Sequence, residues 1–176
     1  MRRVAVIGTS GNGKTTFGRA LARRLGVPFV ELDALHHGPG WTEATAEELR
    51  ARVEPIIAQD AWIVDGGYMG KLGDLVVGGA DTVVWLDLPM GVWLPRLVRR
   101  SVRRIVRREE IWNGNRESLR LLLSRDSVIL FALRHHRRRR REYPQRLARY
   151  NVVRLRSRRE VSQFLADASR AGTLGV

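Results

Sequence analysis

Short apolar runs rich in β-branched residues alternate, along the first half of the chain, with stretches whose apolar residues recur every three or four positions. "RRVAVIG" (2–8) reads as a buried strand ending on glycine. "GKTTFGRALARRLG" (13–26) follows as a helix with Phe17, Leu21 and Leu25 on one face, stopped by Gly26 and Pro28. "PFVELD" (28–33), "AWIVDGG" (61–67) and "DTVVWLDLP" (81–89) read as three more strands, and "TAEELRARVEPIIAQ" (45–59) as a helix with an acidic first turn. Strands separated by helices predict a parallel sheet in an α/β fold, with ligands beyond the carboxyl ends of the strands. The glycine loop after the first strand, Asp33, Asp65 and Asp87 all fall at such ends.

The second half changes character. "VWLPRLVRRSVRRIVRRE" (92–109) predicts an amphipathic helix on which Arg96, Arg99, Arg100, Arg103, Arg104 and Arg107 form one stripe and Leu94, Val98, Val102 and Ile105 lie on the other side. "EEIWNGNRES" (109–118) reads as a polar turn or the tip of a lid. A long helix is expected over 117–142, a fifth strand over 151–157 and a closing helix over 159–170. No repeat and no linker divides the 176 residues, so one domain is expected over 1–176, with a lid-like helical insertion at about 100–140.

The loop "GTSGNGKT" has the spacing G-x-x-x-x-G-K-[ST], placed between a strand and a helix as a phosphate-binding loop requires. Glycines allow the backbone to turn several N–H groups into one hollow, and the helix N-terminus adds its positive dipole end. Gly8, Ser10, Gly11, Asn12, Gly13, Lys14, Thr15 and Thr16 are therefore the candidate nucleotide-binding residues. Lys14 is expected to reach the β- and γ-phosphates of ATP, and the Thr15 hydroxyl to bind Mg²⁺.

Composition sharpens this picture. Residues 1–90 hold 9 Lys+Arg and 11 Asp+Glu, a net of −2, whereas residues 91–176 hold 23 and 7, a net of +16, so the excess positive charge lies wholly in the second half. Such a half is suited to anions: nucleotide phosphates, nucleic acid or an acidic surface. Only Lys14 and Lys71 are lysine among 32 basic residues, so the compact lysine charge stands out inside the loop. The chain has no cysteine, which excludes disulfides and cysteine-ligated zinc. No apolar run approaches the ~20 residues of a membrane helix, and the expected location is the cytoplasm.

A Mg·ATP site needs a carboxylate for the metal or its waters, and a kinase gains from one that takes the acceptor's proton. Asp65 is the metal candidate with Thr15, and Asp33 the acceptor-side candidate. Asp87 resembles a Walker B aspartate, but a cap before Pro89 is the preferred reading. His36 and His37 read as solvated or substrate-lining. The arginines of 96–108 and 134–141 read either as a lid that closes over the phosphates or as a solvated basic surface. Arg96 and Arg100, early in their helix, are the functional candidates.

The motifs "IGTSGNGKTT", "LDALHHGPGW", "WIVDGGY", "ADTVVWLDLP" followed by "RLVRR", and "EEIWNGNRES" together resemble the adenylate-kinase-like P-loop proteins, and among these the bacterial topology-modulation or adenylate-kinase-related group. That resemblance implies a three-layer nucleoside/nucleotide-kinase-like fold with a five-stranded parallel sheet of order 2-3-1-4-5, a mobile lid after strand four, and ATP with Mg²⁺. It matches Asp65-Gly66 to the Asp-Gly of nucleotide kinases and Arg96 and Arg100 to their paired lid arginines. It also places "LRS" (155–157), with Arg156, beside the adenine ring. The "LDALHH" stretch is more similar to small-molecule kinases of the shikimate and gluconate type, which place an aspartate here to hold a hydroxylated substrate. The function expected is transfer of the γ-phosphate to a small hydroxyl or phosphate acceptor. An ATP-gated nucleic-acid-binding regulator and a bare ATPase are the alternatives.

Overall fold

The computed structural model describes residues 1–125 and 127–173. Five strands, β1 (Arg3–Gly8), β2 (Phe29–Glu31), β3 (Trp62–Asp65), β4 (Thr82–Leu86) and β7 (Val152–Leu155), form one parallel sheet in the order β2-β3-β1-β4-β7. Counting these strands alone, that is the expected 2-3-1-4-5 order. A parallel neighbour needs a crossover, and the helices supply it on both faces.

Alternation along β1 assigns its side chains to two cores. Val4 and Val6 pack with Phe17 and Leu21 of α1 (Lys14–Leu25) and with Phe164 of α9 (Arg158–Thr173). Ala5 and Ile7 face the opposite layer, where Leu49 and Val53 of α3 (Ala46–Ile57), Val76 and Val77 of α5 (Leu75–Gly79) and Leu147 close the core. Each such fully buried valine, leucine or isoleucine side chain contributes about 1.5–3 kcal/mol.

Several boundaries differ from those expected. β2 stops at Glu31, and Asp33 lies in the first turn of a short helix, α2 (Leu32–His36), which leads to a 3₁₀ turn at Pro39–Trp41. A further short helix, α4 (Met69–Leu72), precedes α5. The stretch 117–142 is not one helix. It is divided into α7 (Leu119–Leu122) and α8 (Val128–Arg146), and Ser118 and Ser127 cap the two starts by accepting backbone N–H bonds.

α6 (Met90–Val106) turns a different face inward from the one its pattern suggests. Trp93, Leu97 and Ser101 are buried, and Arg100 and Arg104 are half-buried beside them, whereas Val98, Val102 and Val106 are exposed. The expected lid tip is a β-hairpin, β5 (Glu110–Ile111) and β6 (Asn115–Arg116), turned by Asn113 and Gly114 at positive φ.

Candidate active site

The site is built where β1 runs into α1. Gly8 (φ +150°) and Gly11 (φ +86°) take conformations that side-chain-bearing residues avoid. They are also closely covered: a Cβ on Gly8 would lie 2.5 Å from the Leu86 carbonyl oxygen, and one on Gly11 2.6 Å from that of Trp93. Gly13 caps α1 in the left-handed conformation and has open space around it. The first turn of α1 receives no side-chain cap and carries no acidic residue. α3 differs, since Thr45 and Glu48 close a full capping box on it. The free N–H groups and dipole end of α1 are therefore left for an anion, and this cradle fits the phosphates of ATP.

Beside the cradle stand three carboxylates. The Thr15 hydroxyl donates to Asp65 Oδ2 at 2.5 Å and lies 3.4 Å from Glu31 Oε1. Glu31 and Asp65 are register partners at the ends of β2 and β3, which is what brings them together. Burial pushes the Asp65 carboxyl up, against the pull of Lys14 and the Thr15 bond. Burial also raises Glu31, helped by the charges of Asp65 and Asp33, while Arg19 opposes from 3.3 Å. Thr15 and Asp65 fit a hydrated Mg²⁺, whose ligands are oxygens. Glu31 escaped the sequence reading because it sits inside the strand run; its only signal was its place two residues before Asp33.

Asp33 accepts a 2.6 Å hydrogen bond from the Tyr68 hydroxyl. Tyr68 has φ +44° directly after Gly66-Gly67, and burial and Asp33 together push its phenol far up, so it stays a donor. The His36 ring is buried against Tyr68 and His37, with ring centroids 4.8 and 4.7 Å away. Burial and Lys71 lower its pKa, although Glu43 lies 3.3 Å from Nε2. His37 stacks on Trp112 of the hairpin, so both histidines pack against neighbouring rings.

The remaining candidates separate. Arg100 is buried deeply enough that desolvation lowers its pKa, with the Arg104 charge adding to this and Glu117, Asp33 and Glu31 opposing it. Its Nε has no hydrogen-bond partner. Arg96 is exposed and feels Arg158 rather than the carboxylates, so the two arginines are not a pair on one target. Arg156 is also exposed, and its backbone N–H bonds Glu160. Lys14 and Ser10 are half-buried at the loop, and Thr16 is exposed. The Asn12 side chain turns inward, accepting from Leu88 N–H at 3.2 Å. Asp87 does not cap α6, whose N-cap is Pro89. It is buried, and it pairs with Arg154 at 2.6 Å and Arg140 at 3.1 Å. The run 134–141 is thus partly absorbed into the fold, since Arg139 also reaches the Gly8 carbonyl at 3.4 Å.

Comparison with known proteins agrees with this geometry. The family model described as "ATPase family associated with various cellular activities (AAA)" matches residues 4–64. The shikimate kinase of Sulfurihydrogenibium sp. (strain YO3AOP1) is 31% identical over 111 residues, which cover 55% of this chain and 67% of that one. The shikimate kinase of Synechococcus sp. (strain CC9902) is 33% identical over 116 residues, 58% of this chain and 61% of that one. Among solved structures, shikimate kinase from Bacteroides thetaiotaomicron superposes with a TM-score of 0.59 at 20% identity, covering 97% of both chains. A gluconokinase from Sinorhizobium meliloti 1021 gives 0.53 at 20% identity, covering 98% of this chain and 96% of that one. No helix among the described residues is long and apolar enough to cross a membrane. The chain belongs to the shikimate kinase family of P-loop, ATP-dependent small-molecule kinases.

Proposed function

We propose that this protein moves the γ-phosphoryl group of ATP to a hydroxyl of a small polyhydroxylated acceptor seated between Asp33 and the lid. The observation that carries the reading is Asp33 held by Tyr68 at 2.6 Å, next to the Thr15–Asp65 pair at the foot of the phosphate cradle. The names of the relatives, shikimate kinase and gluconokinase, favour a hydroxylated acceptor over a nucleotide. The chain's motifs further suggest the topology-modulation or adenylate-kinase-related branch, acting as one cytoplasmic domain with its lid at about 100–140.

In this reading Gly8 to Thr16 cradle the phosphates, and Arg156 lies beside the adenine. Thr15 and Asp65 would hold Mg²⁺, which would supply neutralising charge for the β- and γ-phosphates. Asp33 orients the acceptor hydroxyl and takes its proton as the oxygen–phosphorus bond forms and the bond to ADP breaks. Tyr68 keeps that carboxylate in place. Lys14 and Arg100 stabilise charge on the transferring group, and Arg96 serves the nucleotide side of the lid. The excluded water of a closed lid strengthens all of these charges.

The test is ADP release at fixed Mg·ATP against a panel of polyols, sugar acids, cyclic hydroxy acids and nucleoside monophosphates. Acceptor-dependent release from a hydroxylated member, lost in Asp33→Asn, supports the reading. Release that needs only water favours a bare ATPase, and release that follows added DNA or RNA favours a nucleic-acid partner.

A further inference from the structure

Asn115 stands at the foot of an exposed hairpin, yet it is only 3% exposed. Its side chain is fully engaged. Oδ1 accepts from the Trp41 N–H at 2.8 Å, and Nδ2 donates to the carbonyls of Gly38 at 2.9 Å and Trp112 at 2.8 Å. Asn113 adds bonds to the carbonyls of Ala34 at 3.1 Å and His37 at 2.6 Å. In return the Trp41 indole donates to the Arg116 carbonyl at 3.2 Å. Trp112 lies nearly parallel to His37, at 5.5 Å and 21°, and edge-on to Trp41. Apart from the Asn115–Trp112 bond, which lies within the hairpin, these contacts join it to residues 34–41, the segment that begins immediately after Asp33.

Trp41 has φ +62°, a left-handed conformation that is strained for a bulky residue. Among the described residues, the non-glycine positions with positive φ are Trp41, Tyr68, Arg108 and Asn113. Two flank the acceptor side. Arg108 lies where α6 passes into the hairpin, and Asn113 is in its turn. Strain thus collects on both surfaces of one closure, and the Trp41 N–H is held across that closure by Asn115.

We propose that Asn115 is a positioning residue that makes assembly of the acceptor wall conditional on lid closure. With the hairpin docked, Asn115 holds Gly38–Trp41 in the strained conformation that sets Trp41 and His37 against Trp112 beside Asp33. With the hairpin lifted, Trp41 loses this partner, leaves the left-handed region, and the wall comes apart. Closure and acceptor binding then favour each other reciprocally, and transfer to water is disfavoured while the acceptor is absent. The kinetic consequence rests on the phosphotransfer reading above, whereas the conformational coupling does not.

The full chain carries five tryptophans, so 5-fluorotryptophan labelling gives five fluorine resonances, assignable by single Trp→Phe variants. Asn115→Ala should move the Trp41 and Trp112 resonances together toward solvent-exposed values and leave Trp62, in the core, where it is. Asn113→Ala should move the same two resonances in the same direction by less. A stationary Trp41 resonance in both variants overturns the proposal. So does a Trp62 shift of equal size, which would make Asn115 a general fold-holding residue. With the hydroxylated acceptor that releases ADP, Asn115→Ala should raise the acceptor KM roughly tenfold to a hundredfold while the KM for ATP stays within about twofold. Equal rises in both KM values overturn the kinetic half. Failure to find any acceptor leaves the fluorine result to decide the conformational half alone.

Discussion

The Thr15 hydroxyl donates to Asp65 Oδ2 at 2.5 Å, joining the first turn of α1 to the end of β3. That bond ties the phosphate cradle to the buried carboxylate. Asp65→Asn keeps the shape and removes the charge. It should weaken apparent Mg²⁺ affinity roughly 10–100-fold, read as the Mg²⁺ dependence of turnover. Because burial raises the folded-state pKa of Asp65, this carboxyl makes a contribution to apo-protein stability that is lost as pH climbs above the ordinary value of 3.8, and Asp65→Asn should remove that contribution.

Two loop glycines should respond differently to alanine. Both Gly11 and Gly13 have φ +86°. A Cβ on Gly13 meets nothing within 4 Å, so Gly13→Ala costs only backbone strain, about 1–2 kcal/mol. A Cβ on Gly11 would also lie 2.6 Å from the Trp93 carbonyl oxygen and 2.9 Å from Leu97 Cβ. Denaturant midpoints should therefore rank wild type, then Gly13→Ala, then Gly11→Ala, and the last should also disturb α6.

Asp87 is structural. Its carboxylate is 3% exposed between Arg154 and Arg140, and Arg154 also lies 4.1 Å from the centre of the Trp85 ring. Asp87→Ala leaves two arginines facing an apolar sheet end and should cost about 3 kcal/mol in chemical unfolding. Where that variant remains folded, its Mg²⁺ dependence should match wild type, the opposite of Asp65→Asn.

The sequence made the sheet legible because its strands are short apolar runs between helical periods, and "WIVDGG" and "VVWLDLP" placed Asp65 and Asp87 at strand ends. It did not separate their roles, which depend on the register pairing of Glu31 with Asp65 and on arginines from β7 and α8 that come from 67 and 53 positions away. Periodicity found both faces of α6 but not which one turns inward. The choice is made by Trp93 and Leu97, which cover Gly11, and it carries Arg100 toward the carboxylates and leaves the valines outside. The single long helix expected over 117–142 ignored Ser118 and Ser127, whose capping hydroxyls start α7 and α8 separately. Glu31 was hidden by its neighbours, since a carboxylate inside a three-residue strand has no spacing of its own.

His136 gives the fold a pH dependence on the acid side. Its buried ring lies 5.1 Å from Trp93, and Nδ1 is 3.5 Å from the Thr9 hydroxyl. Burial lowers its pKa, Arg140, Arg139 and Arg137 lower it further, and Asp87 opposes them. The unfolded chain therefore takes up a proton first as pH falls below 6.5, and stability should drop through that window. Burial and Lys71 lower His36 in the same sense. Melting temperatures from pH 8 down to pH 5 should fall less steeply in His136→Asn than in wild type.

The central claim, phosphoryl transfer from ATP held on the cradle of residues 8–16, is tested most directly by Lys14→Ala. The measurement is transfer of labelled γ-phosphate to the hydroxylated acceptor in a single turnover, with circular dichroism and denaturant midpoint as the check on folding. A folded variant with transfer reduced on the order of 10³-fold or more agrees with the account. A folded variant that transfers phosphate at the wild-type rate contradicts it.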